Sequence, residues 1–249
     1  MVRRLLRRAR RLVLVVPRFF RFLISFGRFT RRQAAERPDA RARLREIVPC
    51  LADSTATTGY DRHYVLHTAW AARILRRISP SEHVDISSSL YFVAIASAFV
   101  PIRFYDLRPA ALGLENCDSG VADIQRLPFS DRSVESLSCM HVIEHIGLGR
   151  YGDPLDPNGD TKAIAELRRV VKPGGNLLIV VPVGRQRVQF NAHRVYAPDA
   201  VPRFFQDCRL AEFAVIPDDP RLGTLLRDAD PEAYRDADYA CGCYWFVKR

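Results

Sequence analysis

Short apolar runs alternate with helix-period stretches from residue 83 to the last residues of the chain. We read seven of these runs as strands and the longer stretches between them as helices, such as Leu90–Phe99 and Thr161–Val171. The predicted strands are His83–Ile86, Ile102–Tyr105, Val121–Ala122, Val134–Met140, Asn176–Val181, Ala214–Ile216 and Tyr244–Val247. Such alternation predicts an α/β fold with a doubly wound, mostly parallel seven-stranded sheet.

Acidic side chains stand at or next to the ends of three successive predicted strands. These residues are Asp85, Asp106 and Asp123, and His141 follows the fourth strand. Ligands of doubly wound sheets bind outside the carboxyl ends of the strands. One such aspartate is explained by capping of the next helix, but three in succession favour a ligand site.

Charge separates the first 32 residues from the rest. The chain of 249 residues has a net charge of +10, yet residues 1–32 carry eleven arginines and no acid. The remainder therefore sums to −1, which excludes a nucleic-acid binder that is basic throughout. On a helix, nine apolar residues of this arm share one face and most arginines the other, with Pro17 as a kink or a second start. Leu14, Val15 and Phe22 interrupt the polar face.

An arginine face opposite an apolar face is typical of a helix that lies in the plane of an anionic membrane surface. Docking on a partner or on the body is the main alternative, and a nucleic-acid arm or an organelle presequence are lesser ones. The arm lacks the apolar run of about 20 residues that a membrane span requires.

Two helices are predicted between the arm and the sheet, over residues 33–50 and 60–78. The predicted organisation is thus an arm (1–32), a helical N-terminal extension (33–80) and a sheet domain (81–249). His63 and His67 share a helix face, but without a visible third ligand we read them as ordinary helix histidines. Cys241-Gly-Cys243 is the only close cysteine pair. No metal site is predicted, and the cysteines are expected to be reduced.

Four segments resemble the class I S-adenosylmethionine-dependent methyltransferases. They are Asp123–Asp131 (DIQRLPFSD), Ser133–Glu135 (SVE), His141–His145 (HVIEH) and Leu167–Gly175 (LRRVVKPGG). Their order is specific for that Rossmann-like fold. Within it, Met140–Tyr196 and Cys241–Phe246 are similar to the uncharacterised family called domain of unknown function 268, which is often met with bacterial surface-polysaccharide genes.

The resemblance implies S-adenosylmethionine as the cofactor and assigns roles to several residues. Asp106 would accept hydrogen bonds from the ribose hydroxyls, and Asp123 with Ile124 would flank the adenine. His141 would lie beside the methionine part. The first loop, which follows Asp85, carries Ser87 and Ser89 where the family has glycines. Asp85, Ser87 and Ser89 would approach the cofactor.

Candidates for chemistry follow the fourth and fifth strands. His193 is the first choice as general base for an oxygen acceptor, with His145 and Glu144 as further candidates. For each of them, anchoring of a loop is the alternative. The irregular segment Gly147–Asp160 is interpreted as a lid or acceptor-binding loop, and its alternating acids do not fit an EF-hand.

Two functions are compatible with these patterns, and a third, another nucleotide-sugar enzyme, ranks last because an intact dinucleotide glycine fingerprint is missing. The first is a methyltransferase for a sugar or lipid-linked glycan intermediate of surface-polysaccharide synthesis. It would be cytoplasmic and held peripherally at the inner membrane by the arm, with no nucleic-acid partner. The second is a catalytically inactive methyltransferase-like module for membrane-associated assembly or regulation, which the serines of the first loop favour.

Overall fold

The computed structural model describes the backbone of residues 2–249 and the side chains from residue 15 onward. The chain divides into two compact units, Met1–Gly59 and Tyr60–Arg249. The division differs from the predicted boundaries after residues 32 and 80. The helix near residue 70 belongs to the second unit because its apolar side chains, Trp70 and Ile74 among them, are buried in that unit's core.

The first unit consists mainly of helix α1 (Val2–Glu36), which continues through Pro17. The predicted helix over 33–50 is wrong, because α1 ends just before Pro38 and only a short 3₁₀ turn, Leu44–Glu46, follows. Side chains of the arm up to Leu14 lie outside the described residues. Farther along, Phe20 and Ile24 are more than half exposed. Among the described helices, none combines the length and apolar character needed to cross a membrane.

The second unit begins with helix α2 (Arg62–Ile78), capped by Asp61, whose carboxylate accepts the N–H of Tyr64. The further elements are β1 (His83–Ile86), α3 (Leu90–Ala96), β2 (Ile102–Asp106), β3 (Cys117–Val121), β4 (Val134–Met140), α4 (Gly159–Val170), β5 (Val171–Val183), β6 (Arg187–Gln189), β7 (His193–Val195), α5 (Ala200–Phe204), β8 (Cys208–Ile216), β9 (Leu226–Arg227) and β10 (Ala240–Lys248). Short 3₁₀ turns cover Ile143–His145, Pro220–Leu222 and Pro231–Tyr234.

The main sheet has the strand order β3-β2-β1-β4-β5-β10-β8-β9. Strands β1 to β5 pair in parallel, and β10 runs antiparallel between β5 and β8. The predicted doubly wound, mostly parallel sheet is confirmed, with the two-residue β9 as an eighth strand. The strand order reverses between β1 and β4, which is where such sheets bind ligands.

Helices cover both faces of this sheet, and β5 shows why. Leu177, Ile179 and Val181 of β5 are fully buried against the face that α4 covers, whereas Leu178 and Val180 pack on the side of α2 and α3. Full burial of each such side chain stabilises the fold by about 1.5–3 kcal/mol. A strand segment buried on both faces has to be apolar at every position, as residues 177–181 of β5 are.

Strand β3 departs from the sequence prediction, which placed a short strand at Val121–Ala122. The strand covers Cys117–Val121 and pairs only with β2, at the edge of the sheet. Its side chains are exposed or half-buried, so its polar sequence carries no apolar pattern from which it could be recognised.

Candidate functional site

A cavity of about 270 Å³ opens at the carboxyl ends of β1, β2 and β4. Of the seven residues predicted to bind a cofactor, five line it: Ser87, Asp106, Asp123, Ile124 and His141. The remaining lining is largely apolar and includes Leu107, Ala122, Val142 and Ile146. The other two predicted residues, Asp85 and Ser89, do not line this cavity.

Asp106 and Asp123 present carboxylates on neighbouring loops of the cavity wall. Asp106 Oδ1 accepts the N–H of Arg108 at 2.7 Å, and Asp123 Oδ1 accepts the N–H of Gln125 at 2.8 Å. These bonds fix each loop. Among the residues that the structure describes, no donor reaches either Oδ2 atom, so each carboxylate retains an oxygen that can accept a ligand's hydroxyl or amine.

Asp85 has a structural position beneath the cavity, because it is fully buried and both its oxygens are hydrogen-bonded. Oδ1 accepts the N–H of Ser88 at 3.0 Å, and Oδ2 accepts the Ser138 hydroxyl. His83 continues the network, with its ring nitrogens 2.7 Å from Ser136 Oγ and 2.8 Å from Ser138 Oγ. Burial raises the pKa of Asp85 to about 6 and lowers the pKa of His83 to about 3.

The first loop takes a glycine-type conformation although it contains no glycine. Ser87 has φ +55°, in the left-handed region that glycine occupies at little cost. Its N–H donates to the Tyr105 carbonyl at 2.8 Å, which ties the loop to β2. The hydroxyl of Ser88 accepts the N–H of Met140, so β4 holds the loop from the other side. Ser89 precedes α3 as its N-terminal cap residue.

A second cavity, of about 430 Å³, adjoins the first and shares His141, His145 and Tyr151 with it. All three residues proposed for chemistry line it, namely His193, His145 and Glu144. Arg150, from the predicted lid or acceptor-binding loop, also lines it. The structure adds lining residues that the sequence did not point to: Asp61, Arg62, His63, Tyr64 and Tyr239.

The two candidate base histidines differ in their partners. His145 Nδ1 donates to the Ala192 carbonyl at 2.6 Å, which leaves Nε2 as the unprotonated nitrogen. His193 packs on Tyr239 with ring centroids 4.9 Å apart, and its buried Nε2 has no hydrogen-bond partner among the described residues. Burial lowers the pKa of both histidines, so both rings are neutral and able to accept a proton at neutral pH.

The loop Gly147–Asp160 forms part of both cavity walls through Tyr151. Its acids are committed to protein partners rather than to a common centre. Asp153 accepts N–H groups of Gly147 and Tyr151, Asp156 pairs with Lys162, and Asp160 accepts the Tyr196 hydroxyl. Although burial opposes it, the N–H donors hold the pKa of Asp153 below its usual range. The loop is therefore ordered by its own acids.

The residues that the sequence did not point to come from segments far from the recognised motifs. His63 and Tyr64 lie on α2, and Tyr239 precedes β10. The i, i+4 spacing of His63 and His67 was the only available signal, and it does not reveal which side chains the fold places opposite α2.

The family described as "Caenorhabditis protein of unknown function, DUF268" matches residues 129–210. A search of curated proteins gave no significant match.

Solved structures resemble the chain over most of their length. YcgJ from Bacillus subtilis superposes with a TM-score of 0.51 at 17% identity, covering 74% of this chain and 98% of YcgJ. The N-methyltransferase NodS from Bradyrhizobium japonicum, in complex with S-adenosylhomocysteine, gives 0.53 at 13% identity, covering 80% and 91%. The chain has the class I methyltransferase fold.

A third methyltransferase agrees with this assignment. The Burkholderia thailandensis 1,6-didemethyltoxoflavin-N1-methyltransferase, with S-adenosylhomocysteine bound, gives a TM-score of 0.53 at 11% identity over 74% of this chain and 78% of that enzyme. In the methyltransferase fold described above, the two adjoining cavities lie at the carboxyl edge of the sheet, on either side of His141.

Proposed function

We propose that this chain is an S-adenosylmethionine-dependent methyltransferase, with the cofactor in the first cavity and the methyl acceptor in the second. The observation that carries the proposal is the junction of the two cavities at His141 and His145, because the first cavity is also lined by Asp106 and Asp123, whose Oδ2 atoms accept no hydrogen bond from the described residues. Methyl transfer depends mainly on alignment of two bound molecules, and two adjoining cavities provide it.

The residues of the first cavity fit this cofactor. Asp106 suits the ribose diol, because a carboxylate only accepts hydrogen bonds and a diol donates two. Asp123 suits the exocyclic amine of adenine, and the buried side chain of Ile124 offers an apolar surface for its ring. Asp85 and Ser88 position the first loop, which brings Ser87 to the cavity. The bound cofactor would supply an electrophilic methyl group.

His193 is the proposed base for an oxygen acceptor. We assign it this role because its ring lines the second cavity, its Nε2 accepts no hydrogen bond from the described residues, and its lowered pKa keeps the ring neutral at neutral pH. His145 and Glu144 support it. Glu144 is fully buried, and its negative charge favours the protonated form of the neighbouring histidine rings.

The acceptor class that we propose is a sugar or a lipid-linked glycan intermediate of surface-polysaccharide synthesis. The second cavity combines hydrogen-bonding groups of Arg150 and Asp61 with the rings of Tyr64 and Tyr239, a mixture that suits a polyhydroxylated ligand. The arginine-rich arm supports a place at the cytoplasmic face of the inner membrane, where lipid-linked intermediates are available.

Calorimetric titration of the full chain with S-adenosylmethionine tests the proposal. We expect one site per chain, and loss of that binding in Asp106→Ala. Asp118→Ala is the matched control, because Asp118 is an exposed acid on β3 that does not line the cavity. Absence of binding at millimolar cofactor by a folded protein would refute the proposal.

An inactive assembly or regulatory module is the second candidate, and the left-handed Ser87 in the place of a glycine favours it. This candidate predicts that Asp106→Ala still complements a deletion strain and that partners are retained without turnover. The methyltransferase proposal predicts that the same variant fails to complement.

A further inference from the structure

A histidine–cysteine cluster borders the second cavity through two of its three residues and is built from three distant parts of the chain. His63 comes from α2, His141 follows β4 and Cys241 lies on β10. One possible ligand atom of each lies within 4.8 Å of the others. His141 and Cys241 are buried, and His63 is half-buried and lines the cavity together with His141.

The spacing of two of these atoms, on His141 and Cys241, fits a tetrahedral cation. His141 Nε2 lies 3.5 Å from Cys241 Sγ. Zinc bonds of about 2.3 Å to sulfur and about 2.05 Å to nitrogen, at a tetrahedral angle, place the two ligand atoms about 3.6 Å apart. The pair therefore requires almost no rearrangement to bind the same ion.

Glu144 orients His141 as a carboxylate orients a metal-bound histidine. His141 Nδ1 lies 2.9 Å from Glu144 Oε1, and Glu144 is fully buried. This bond places the ring proton on Nδ1 and leaves the Nε2 lone pair directed at Cys241. The backbone of His141 has φ +58°, which is a strained conformation, and its N–H donates to the Val180 carbonyl. The ring therefore projects from a backbone position that is fixed by this hydrogen bond.

A fully buried histidine lies beside the cluster. His67 is completely buried, one turn after His63, and neither of its ring nitrogens has a hydrogen-bond partner among the described residues. Its ring centroid lies 5.1 Å from that of His141. Buried polar groups without partners are rare, and this one lies beside the cluster without being one of its three ligand residues.

We propose that His63, His141 and Cys241 bind one divalent transition metal of the zinc class. Imidazole nitrogen and thiolate sulfur are the ligands that zinc prefers. The fourth position opens toward the second cavity, because two of the three ligands line it. A site with three protein ligands and an open position can bind an oxygen of a molecule in that cavity. The inference does not depend on binding of S-adenosylmethionine.

Metal analysis of the full chain tests the site. The protein is stripped with a chelator, reduced, and titrated with zinc and with cobalt as a spectroscopic probe. We expect one equivalent of either metal, a rise in melting temperature with zinc, and a thiolate-to-cobalt charge-transfer band with tetrahedral d–d bands in the visible.

Variants identify the ligands. Cys241→Ser is expected to remove the charge-transfer band. His63→Ala is expected to lower the amount of bound metal below one ion per chain. Glu144→Gln retains all three ligands and is expected to weaken zinc binding about 10- to 100-fold. Cys208→Ser is the matched control, because Cys208 is also buried and free but lies outside the cluster; it should bind zinc like the parent chain.

Several results would overturn the proposal. One is the absence of stoichiometric metal in the reduced and folded parent chain. Another is an unchanged cobalt spectrum in Cys241→Ser. A third is a disulfide between Cys241 and Cys243, whose sulfur atoms lie 4.0 Å apart, that persists under the reducing conditions in which zinc should bind. Circular dichroism of each variant separates loss of the site from loss of the fold.

Discussion

Asp85 Oδ1 accepts the backbone N–H of Ser88 at 3.0 Å, so the acid at the end of the first strand holds the loop that borders the cofactor cavity. The other oxygen of Asp85 accepts the Ser138 hydroxyl on the adjacent strand β4. The carboxyl group thus joins two strands and a loop at the point where the strand order reverses. Its position is one of support, and the ligand-facing carboxylates are those of Asp106 and Asp123.

Burial of Asp85 predicts a pH dependence of stability. Its pKa is about 6 in the folded chain against 3.8 as the ordinary value. Between these values the unfolded chain binds fewer protons than the folded chain, so this group's contribution to stability falls as the pH rises. Asp85→Asn removes that loss, because the amide does not ionise.

The free energy of unfolding of Asp85→Asn, relative to that of the parent chain, should therefore rise by about 2–3 kcal/mol between about pH 4 and about pH 7. Urea unfolding at both pH values measures it. For Asp118→Asn, at an exposed site on β3, the difference in free energy of unfolding from the parent chain should be the same at both pH values. A gain that shrinks with rising pH would show that Asp85 is ionised in the folded chain at low pH.

The conformation of Ser87 predicts a stabilising substitution. A left-handed residue other than glycine costs about 1–2 kcal/mol, and glycine loses about 0.5–1 kcal/mol more backbone entropy on folding. Ser87→Gly should therefore raise the free energy of unfolding by up to about 1.5 kcal/mol. Ser89→Gly is the matched control, because Ser89 has φ −61° and should lose stability. Equal effects of the two substitutions would contradict the role of the backbone angle.

The state of His193 can be measured without knowledge of the acceptor. Burial lowers its pKa from the usual 6.5, and the charge of Glu144 opposes this shift. NMR titration of labelled histidines, assigned with a His193→Gln variant, should give a pKa below 6.5. Glu144→Gln removes the opposing charge and should lower the pKa of His193 further. A pKa above 6.5 in the parent chain would exclude His193 as a base that is neutral throughout the physiological range.

The fold could be predicted where burial leaves a pattern in the sequence. Asn176–Val181 reads as a strand because both its faces are buried, and β1 and β4 were placed with their observed bounds for similar reasons. The predicted position of strand β3 differs from the observed one, because an exposed edge strand needs no apolar residues and so leaves no apolar pattern in the sequence. The helix predicted over residues 33–50 does not form as a separate helix, because charged residues at helical spacing provide no apolar face that packing could bury.

The site was predictable where it follows from strand ends. Asp106 and Asp123 line the cavity as the position of strand ends implies, whereas the carboxyl oxygens of Asp85 are consumed by neighbouring donors that only the fold reveals. The cluster of His63, His141 and Cys241 was invisible to spacing rules, because its members meet only after α2 and β10 have packed beside β4.

The arm predicts binding to anionic vesicles. Residues 1–32 carry eleven arginines, and each basic residue near such a surface contributes about 1 kcal/mol. The full chain should sediment with vesicles that contain phosphatidylglycerol, less so at high salt, and not with neutral vesicles. Deletion of residues 1–32 should release it. Phe20→Ser with Ile24→Ser keeps every charge but removes two exposed apolar side chains, and should weaken binding without abolishing it. Equal sedimentation of the deleted and full chains would assign the membrane contact to another part of the molecule.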